Sequence, residues 1–224
     1  MESSIAYYDN VASEYNSQMT ASDEAVRHLV QKIFSEKIEK GPVLDFGGGT
    51  GLDLHWLLRS ACPLYFLEPS SNMRALAKKV CAGAGTLPVF VEDQVDFHLW
   101  SDQHLPFGEK MQAVLANFAV LNCIPDIECL FEKMAMICSQ GCFFLATVLN
   151  TKPSKLLKTH SVPVALKSLV SKKLVSKNEF RGVCQKIFLH NFRAYRSASK
   201  KHFMFLSYDP IPFSDFAILT LRKK

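Results

Sequence analysis

Four of the chain's ten glycines fall within five residues, Gly47 to Gly51, directly after the apolar run Val43–Phe46. A strand that runs into a small-residue turn and then a helix start builds a site for a polar ligand. The helix offers unpaired N–H groups and the positive end of its dipole, and small residues let a ligand lie on the backbone itself. Two familiar ligands fit poorly. A P-loop needs Lys and then Ser or Thr after its last glycine, whereas Gly51 is followed by Leu52 and Asp53. The dinucleotide fingerprint G-x-G-x-x-G is completed from neither Gly47 nor Gly49. What is present is Asp45-x-Gly47-x-Gly49-x-Gly51, whose strand-end carboxylate suits a cationic group better than a pyrophosphate. Glu68 ends the next apolar run, seventeen residues after Gly51, where a carboxylate can accept both hydroxyls of a ribose.

These residues need strands and helices in alternation to position them, and after residue 40 the chain alternates in that way, which predicts a mostly parallel α/β sheet covered on both faces. "VLDF", "LYFLE", "PVFVE", "AVLANF" and "CFFLATVL" read as five strands. "LDLHWLLRS" and "NMRALAKKVCA" read as intervening helices, the second capped by Ser70 or Ser71. "PDIECLFEKMAMIC" carries an apolar stripe at helical spacing, stopped by Gly141. "CQKIFLHNF" reads as extended and "RAYRSASKK" as a helical turn or two. "HFMFLSY" and "FAILTLRK" predict a closing hairpin at a sheet edge. One domain over 1–224 is expected, with cap helices in 1–40 and a lysine-rich insertion at 151–185, in which Pro163 separates two short helices within Thr151–Asn178.

Composition sets the outer bounds. The longest apolar run, Cys142–Leu149, is far short of the roughly 20 residues that cross a bilayer, so no stable membrane insertion is expected. The N-terminus has no basic and apolar leader pattern, and the seven cysteines show no metal-like spacing, so a reducing, cytoplasmic setting and no metal are expected. The net charge of +5 hides an asymmetry: residues 1–150 are acidic on balance, while residues 151–224 hold 16 Lys or Arg against three acids. Such a basic third is either a solvated face or a patch for an anionic partner.

With these strings in order, "VLDFGGGTG", "LYFLEPSSNM", "LPF", "AVLANFAVLN" and "FFLATVL", the chain resembles class I S-adenosylmethionine-dependent methyltransferases, the small-molecule branch in particular. "YYDNVASEYN" looks like that branch's N-terminal segment, and "HNFRAYRSASKKHFMFLSYDPIP" is similar to its closing helix, penultimate strand and turn. The resemblance implies a Rossmann-like fold, with a mostly parallel seven-stranded sheet and a C-terminal antiparallel hairpin. By it, Asp45, Gly47 and Gly49 would hold the methionine end of S-adenosyl-L-methionine, Glu68 the ribose and Met73 the adenine. Asp93, with Gln94 beside it, or alternatively Asp102, would take the adenine amino group. Asn117 would approach the methionine end or the acceptor, and Tyr15 would close over the sulfonium. Many relatives carry His where this chain has Cys123.

Methyl transfer from a sulfonium is an in-line displacement that proximity can accelerate, and a base is needed only where the acceptor loses a proton. Candidate bases are His190, His160, Cys123 and Tyr208, with His190 foremost; His55 sits in a helix facing away. Neither the Pro-Pro-Tyr signature of adenine methylation nor a Pro-Cys nucleophile is present, and DNA is not an expected partner. The expected activity is O- or C-methylation of a small, apolar or aromatic metabolite, with the insertion as a lid over the acceptor. Two other readings are an RNA methyltransferase using the basic third and a non-catalytic cofactor-binding protein.

Overall fold

Strands covered on both faces are apolar at every position rather than at alternate ones. Val43–Phe46 and Leu64–Leu67 are buried throughout, and all but one residue of Met111–Ala116 is too. The computed structural model describes residues 2–38, 40–60, 63–152, 171 and 173–224. Two helices, α1 (Glu2–Tyr15) and α2 (Ala21–Lys37), precede β1 (Val43–Phe46), α3 (Leu54–Ser60), β2 (Leu64–Leu67), α4 (Ser71–Val80) and β3 (Val89–Val91). Then come β4 (Met111–Ala116), α5 (Ile127–Ile137), β5 (Cys138–Leu149), β6 (Lys173–Phe180) and β7 (Val183–His190). A helix, α6 (Phe192–Ser199), and the strands β8 (Phe203–Pro210) and β9 (Phe216–Lys223) complete the chain.

Seven strands form one sheet in the order β3-β2-β1-β4-β5-β9-β8, parallel from β3 through β5, with β9 antiparallel to both β5 and β8. The expected α/β sheet and its closing hairpin are thus present. Strand order reverses between β1 and β4, the place where open α/β sheets leave a crevice at the carboxyl ends of their strands. One face packs Leu44, Val114, Phe144 and Trp100 against Phe131 of α5 and Tyr195 of α6. The other packs Val43, Phe66 and Leu145 against Phe34 of α2 and Leu57 of α3.

Two expectations need correction. Residues 173–178 do not continue a helix: they begin the hairpin β6–β7, a separate two-stranded sheet. Arg181 and Gly182 both have positive φ, as a two-residue hairpin turn requires, and "KLVSKNEF" pairs residue by residue with "VCQKIFLH". The remainder of the two expected helices, 153–170 and 172, lies outside the described residues. Helix α5 also ends at Ile137, four residues before Gly141, because Cys138 is already extended and paired with Met111.

The glycine turn holds a second surprise. A Cβ on Gly47 would lie 2.6 Å from Val120, one on Gly48 would overlap the Phe66 ring, and one on Gly51 would lie 2.9 Å from Ala77 Cβ. Three of the four glycines therefore admit the protein's own side chains, and only Gly49 faces open space. Gly51→Ala adds that contact to a φ of +81°, so it is expected to destabilise the fold by about 3 kcal/mol in urea titration. Gly49→Ala carries backbone strain alone, about 1 kcal/mol.

Candidate functional site

The crevice at the β1–β4 switch point is lined by Asp45 of β1, the turn Gly47–Thr50, Glu68 just past β2, and Asn117 just past β4. Its charged lining among the described residues is three carboxylates, Asp45, Asp53 and Glu68, and one guanidinium, Arg27. Asp53 organises it. Its Oδ2 accepts from Arg27 Nη1 at 2.6 Å and Asn117 Nδ2 at 2.9 Å, and its Oδ1 from Trp56 Nε1 at 3.1 Å. Asn117 Oδ1 in turn accepts from Thr147 Oγ1 at 2.9 Å and the Phe118 N–H at 3.0 Å. The Arg27 guanidinium lies 4.0 Å from the Phe118 ring centroid, a cation–π contact. Phe118 and Ala119 both hold positive φ, 58° and 62°, uncommon conformations for side-chain-bearing residues that bend the chain sharply away from β4.

Two buried polar atoms in this region have no partner: Asp45 Oδ2 and Arg27 Nε. Asp45 is 1% exposed, and burial first, then the nearby Asp53 charge, pushes its carboxyl well above the usual range against the pull of Arg27. Glu68 is better served. Its Oε2 accepts from the Gly49 N–H at 2.9 Å and its Oε1 from the Ser70 N–H at 2.8 Å. Burial outweighs these bonds and raises its pKa to about 7.

Helix α1 roofs the crevice with Ile5, Tyr8 and Tyr15. Three attachments hold it. Asp9 Oδ1 accepts from Ser70 Oγ at 2.6 Å and the Asn72 N–H at 3.0 Å, at the start of α4. Asn10 Nδ2 donates to the Phe180 carbonyl at 3.2 Å, and Arg181 pairs with Glu14, both at the tip of the β6–β7 hairpin. Thr50 Oγ1, in the glycine turn, donates to Asn16 Oδ1 at 2.6 Å, just past the helix.

A second cavity opens beside the first and shares Tyr8, Tyr15 and Cys123 with it. Tyr7, Gln185 and Phe216 add to its walls, and no charged side chain lines it among the described residues. Cys123 Sγ lies 3.6 Å from the Tyr8 hydroxyl and 3.2 Å from Gln185 Nε2.

The residues expected from the sequence divide in two. Tyr15, Asp45, Gly47, Gly49, Glu68, Met73 and Asn117 line the crevice together. Asp93 is exposed and Gln94 half-buried, and neither lines it; Val95 and Phe97 do instead. Asp102 is exposed on a separate turn. His190 is 2% exposed at the end of β7, its Nε2 held 2.9 Å from the Ile124 carbonyl, and it lines neither cavity; burial lowers its pKa. Tyr208 meets the Thr151 N–H on β8, His55 Nδ1 meets the Leu52 carbonyl, and His160 lies outside the described residues. Arg27 and Asp53 were missed, since they stand 26 positions apart and neither completes a local motif. Asp53→Ala removes the acceptor of Arg27, Asn117 and Trp56 together, so a loss of about 3 kcal/mol is expected in chemical unfolding.

The chain can now be set beside known proteins. A family model described as a methyltransferase domain matches residues 15–195. No curated protein matches in sequence. The solved DhpI–SAH complex superposes with a TM-score of 0.73 at 17% identity, covering 99% of this chain and 96% of that one. A putative S-adenosylmethionine-dependent methyltransferase from Listeria monocytogenes gives a TM-score of 0.66 at 16% identity, over 90% and 99%. The glycopeptide N-methyltransferase MtfA complexed with S-adenosyl-L-methionine gives 0.58 at 15%, over 87% and 92%. At these identities the structures speak for the fold, while the family model spans most of the sequence: the chain belongs to the methyltransferase-domain family.

Proposed function

We propose that this chain transfers the methyl group of S-adenosylmethionine to a small, uncharged acceptor of largely apolar or aromatic character. The observation that carries the cofactor is the pair of orphaned buried atoms, Asp45 Oδ2 and Arg27 Nε, on residues of one crevice. An amino-acid tail brings an ammonium and a carboxylate, the complement of each. Glu68 keeps lone pairs free of its two backbone bonds for ribose hydroxyls, and Met73, Val95 and Phe97 offer apolar surface for a purine. Only Gly49 of the turn faces open space, so it is the glycine on whose backbone the cofactor would rest. The family match and the solved folds named with this cofactor support the assignment.

When bound, the cofactor supplies a methyl carbon activated by a sulfonium sulfur. The chain's own contribution is placement and exclusion of water. Tyr8, Tyr15 and Cys123 stand where the two cavities meet, so they would flank the methyl and align an acceptor with it. A general base is absent from the described lining of the acceptor cavity. His190 is turned to the Ile124 carbonyl, and burial raises the Cys123 thiol to about 11. That weighs against a hydroxyl or carbon acid whose proton the enzyme must remove.

Part of the basic third lies away from the crevice. Lys201, Lys223 and Lys224 crowd His202 beside the end of β9, where Arg222 pairs with Phe143 at the start of the parallel run of β5. That end of the sheet is opposite the crevice.

Cofactor binding should depend on pH through Glu68. Its pKa is raised to about 7, so the empty protein holds the carboxyl protonated below that pH, while ribose hydroxyls donate to the carboxylate. Affinity for S-adenosylhomocysteine should therefore fall about tenfold between pH 8 and pH 6 by calorimetry. Glu68→Gln should weaken binding at pH 8 and flatten the profile. The same shift makes the empty fold more stable at low pH, with that increment lost as pH rises from 4.5 through 7. Wild-type affinity of Glu68→Gln for S-adenosylhomocysteine at pH 8 would remove Glu68 from the site.

A further inference from the structure

We propose that the acceptor is a planar nitrogen base, neutral at pH 7, whose methylated product is a cation held against the tyrosine walls of the second cavity. The proposal rests on the methyltransferase reading above. Three tyrosines of α1 form one wall. Tyr7 and Tyr8 stand 5.5 Å apart at 90°, and Tyr8 and Tyr15 stand 6.3 Å apart at 70°. All three line the cavity, with Phe216 among its other walls. Both pairs pack edge to face, and the negative face of a tyrosine turned to the cavity attracts a methylated nitrogen cation.

Charge narrows the acceptor from two sides. Among the described residues no Lys, Arg or His lines this cavity, so a carboxylate or phosphate acceptor would be desolvated there without a partner. No carboxylate lines it among the described residues either, so the described lining offers an aliphatic ammonium no group to receive its proton. The titratable side chains that line it among the described residues are Tyr7, Tyr8, Tyr15 and Cys123. Burial raises the pKa of each, leaving all four protonated at pH 7 and unable to act as bases.

A neutral heteroaromatic nitrogen needs none of these groups. Its lone pair forms the new bond to the methyl carbon, while the electron pair of the breaking carbon–sulfur bond stays on sulfur. The positive charge passes from sulfur to nitrogen, and no proton moves. One cation is consumed and one is formed, so the step needs no ionised group from the described lining. The buried Gln185 amide, fixed on Cys123 Sγ, offers a neutral polar edge for orientation.

Calorimetry on the full chain saturated with S-adenosylhomocysteine tests this, with N-methylquinolinium and 1-naphthoate as ligands of equal size and opposite charge. N-methylquinolinium should bind at least about tenfold more tightly than 1-naphthoate. Tyr7→Leu should cut that affinity about tenfold, and Tyr7→Phe, which keeps the ring face, should leave it within about threefold. S-adenosylhomocysteine affinity should hold in both variants, because Tyr7 lines only the second cavity. With S-adenosylmethionine, mass spectrometry should find quinoline methylated in preference to 1-naphthol. Tighter binding of 1-naphthoate, transfer to 1-naphthol alone, or binding of neither ligand while S-adenosylhomocysteine still binds would each overturn the proposal. Failure of S-adenosylhomocysteine to bind at all would overturn the cofactor reading, and this proposal with it.

Discussion

The carboxylate of Asp53 receives hydrogen bonds from three elements that reach the crevice by different routes: Arg27 on α2, Trp56 on α3 and Asn117 after β4. Each donor depends on the others being in place. Asn117 can face Asp53 only because Thr147 on β5 and the Phe118 N–H hold its other end. Arg27 can lie flat on Phe118 only because positive φ at that residue swings the ring out of the strand line. The strained turn after β4 and the buried ion pair therefore stabilise one another. A buried charge pair is seldom a gain in stability by itself, since desolvation offsets most of the attraction. Here its value is geometric, because it fixes the walls of a crevice before any ligand arrives.

The same reasoning explains what could be read from the sequence. Strand runs such as Val43–Phe46 and Leu64–Leu67 are continuous because both faces are covered, and that continuity needs no tertiary knowledge. Asp45 and Glu68 were legible because each sits at the end of such a run. Arg27 was not, because its partner is supplied by the fold and not by a neighbour in sequence. The β6 strand was obscured by lysines spaced among Leu and Val, a pattern that suits either period over a few residues. Its signal was Arg181–Gly182 between two runs of equal length. Asp93 attracted attention as a carboxylate after the third strand. Gln94 then takes positive φ, and the chain presents Val95 and Phe97 to the crevice instead.

Clustered glycines mark the crevice, yet Gly47, Gly48 and Gly51 yield room to Val120, Phe66 and Ala77. What those three contacts achieve is close packing of β1, β2, the segment after β4 and α4 around one turn. Gly49 is left to face the opening, with its N–H bound to Glu68. Packing and ligand access are thus divided among adjacent residues of one motif.

The two cavities differ in electrostatic character, and helix α1 lines both. The crevice gathers three carboxylates around one guanidinium, suited to a zwitterionic ligand with a cationic centre, while the neighbouring cavity is uncharged among the described residues. Tyr8 and Tyr15 belong to both linings, so any tilt of α1 alters the two spaces together. The helix is tied on one side to the first turn of α4 through Asp9 and on the other to the hairpin tip through Asn10 and Glu14. Gln185, on the hairpin, reaches Cys123 from the second cavity. The hairpin thus shapes a wall of the second cavity and anchors the roof of the crevice, so changes in its sequence act on both spaces through the same few contacts.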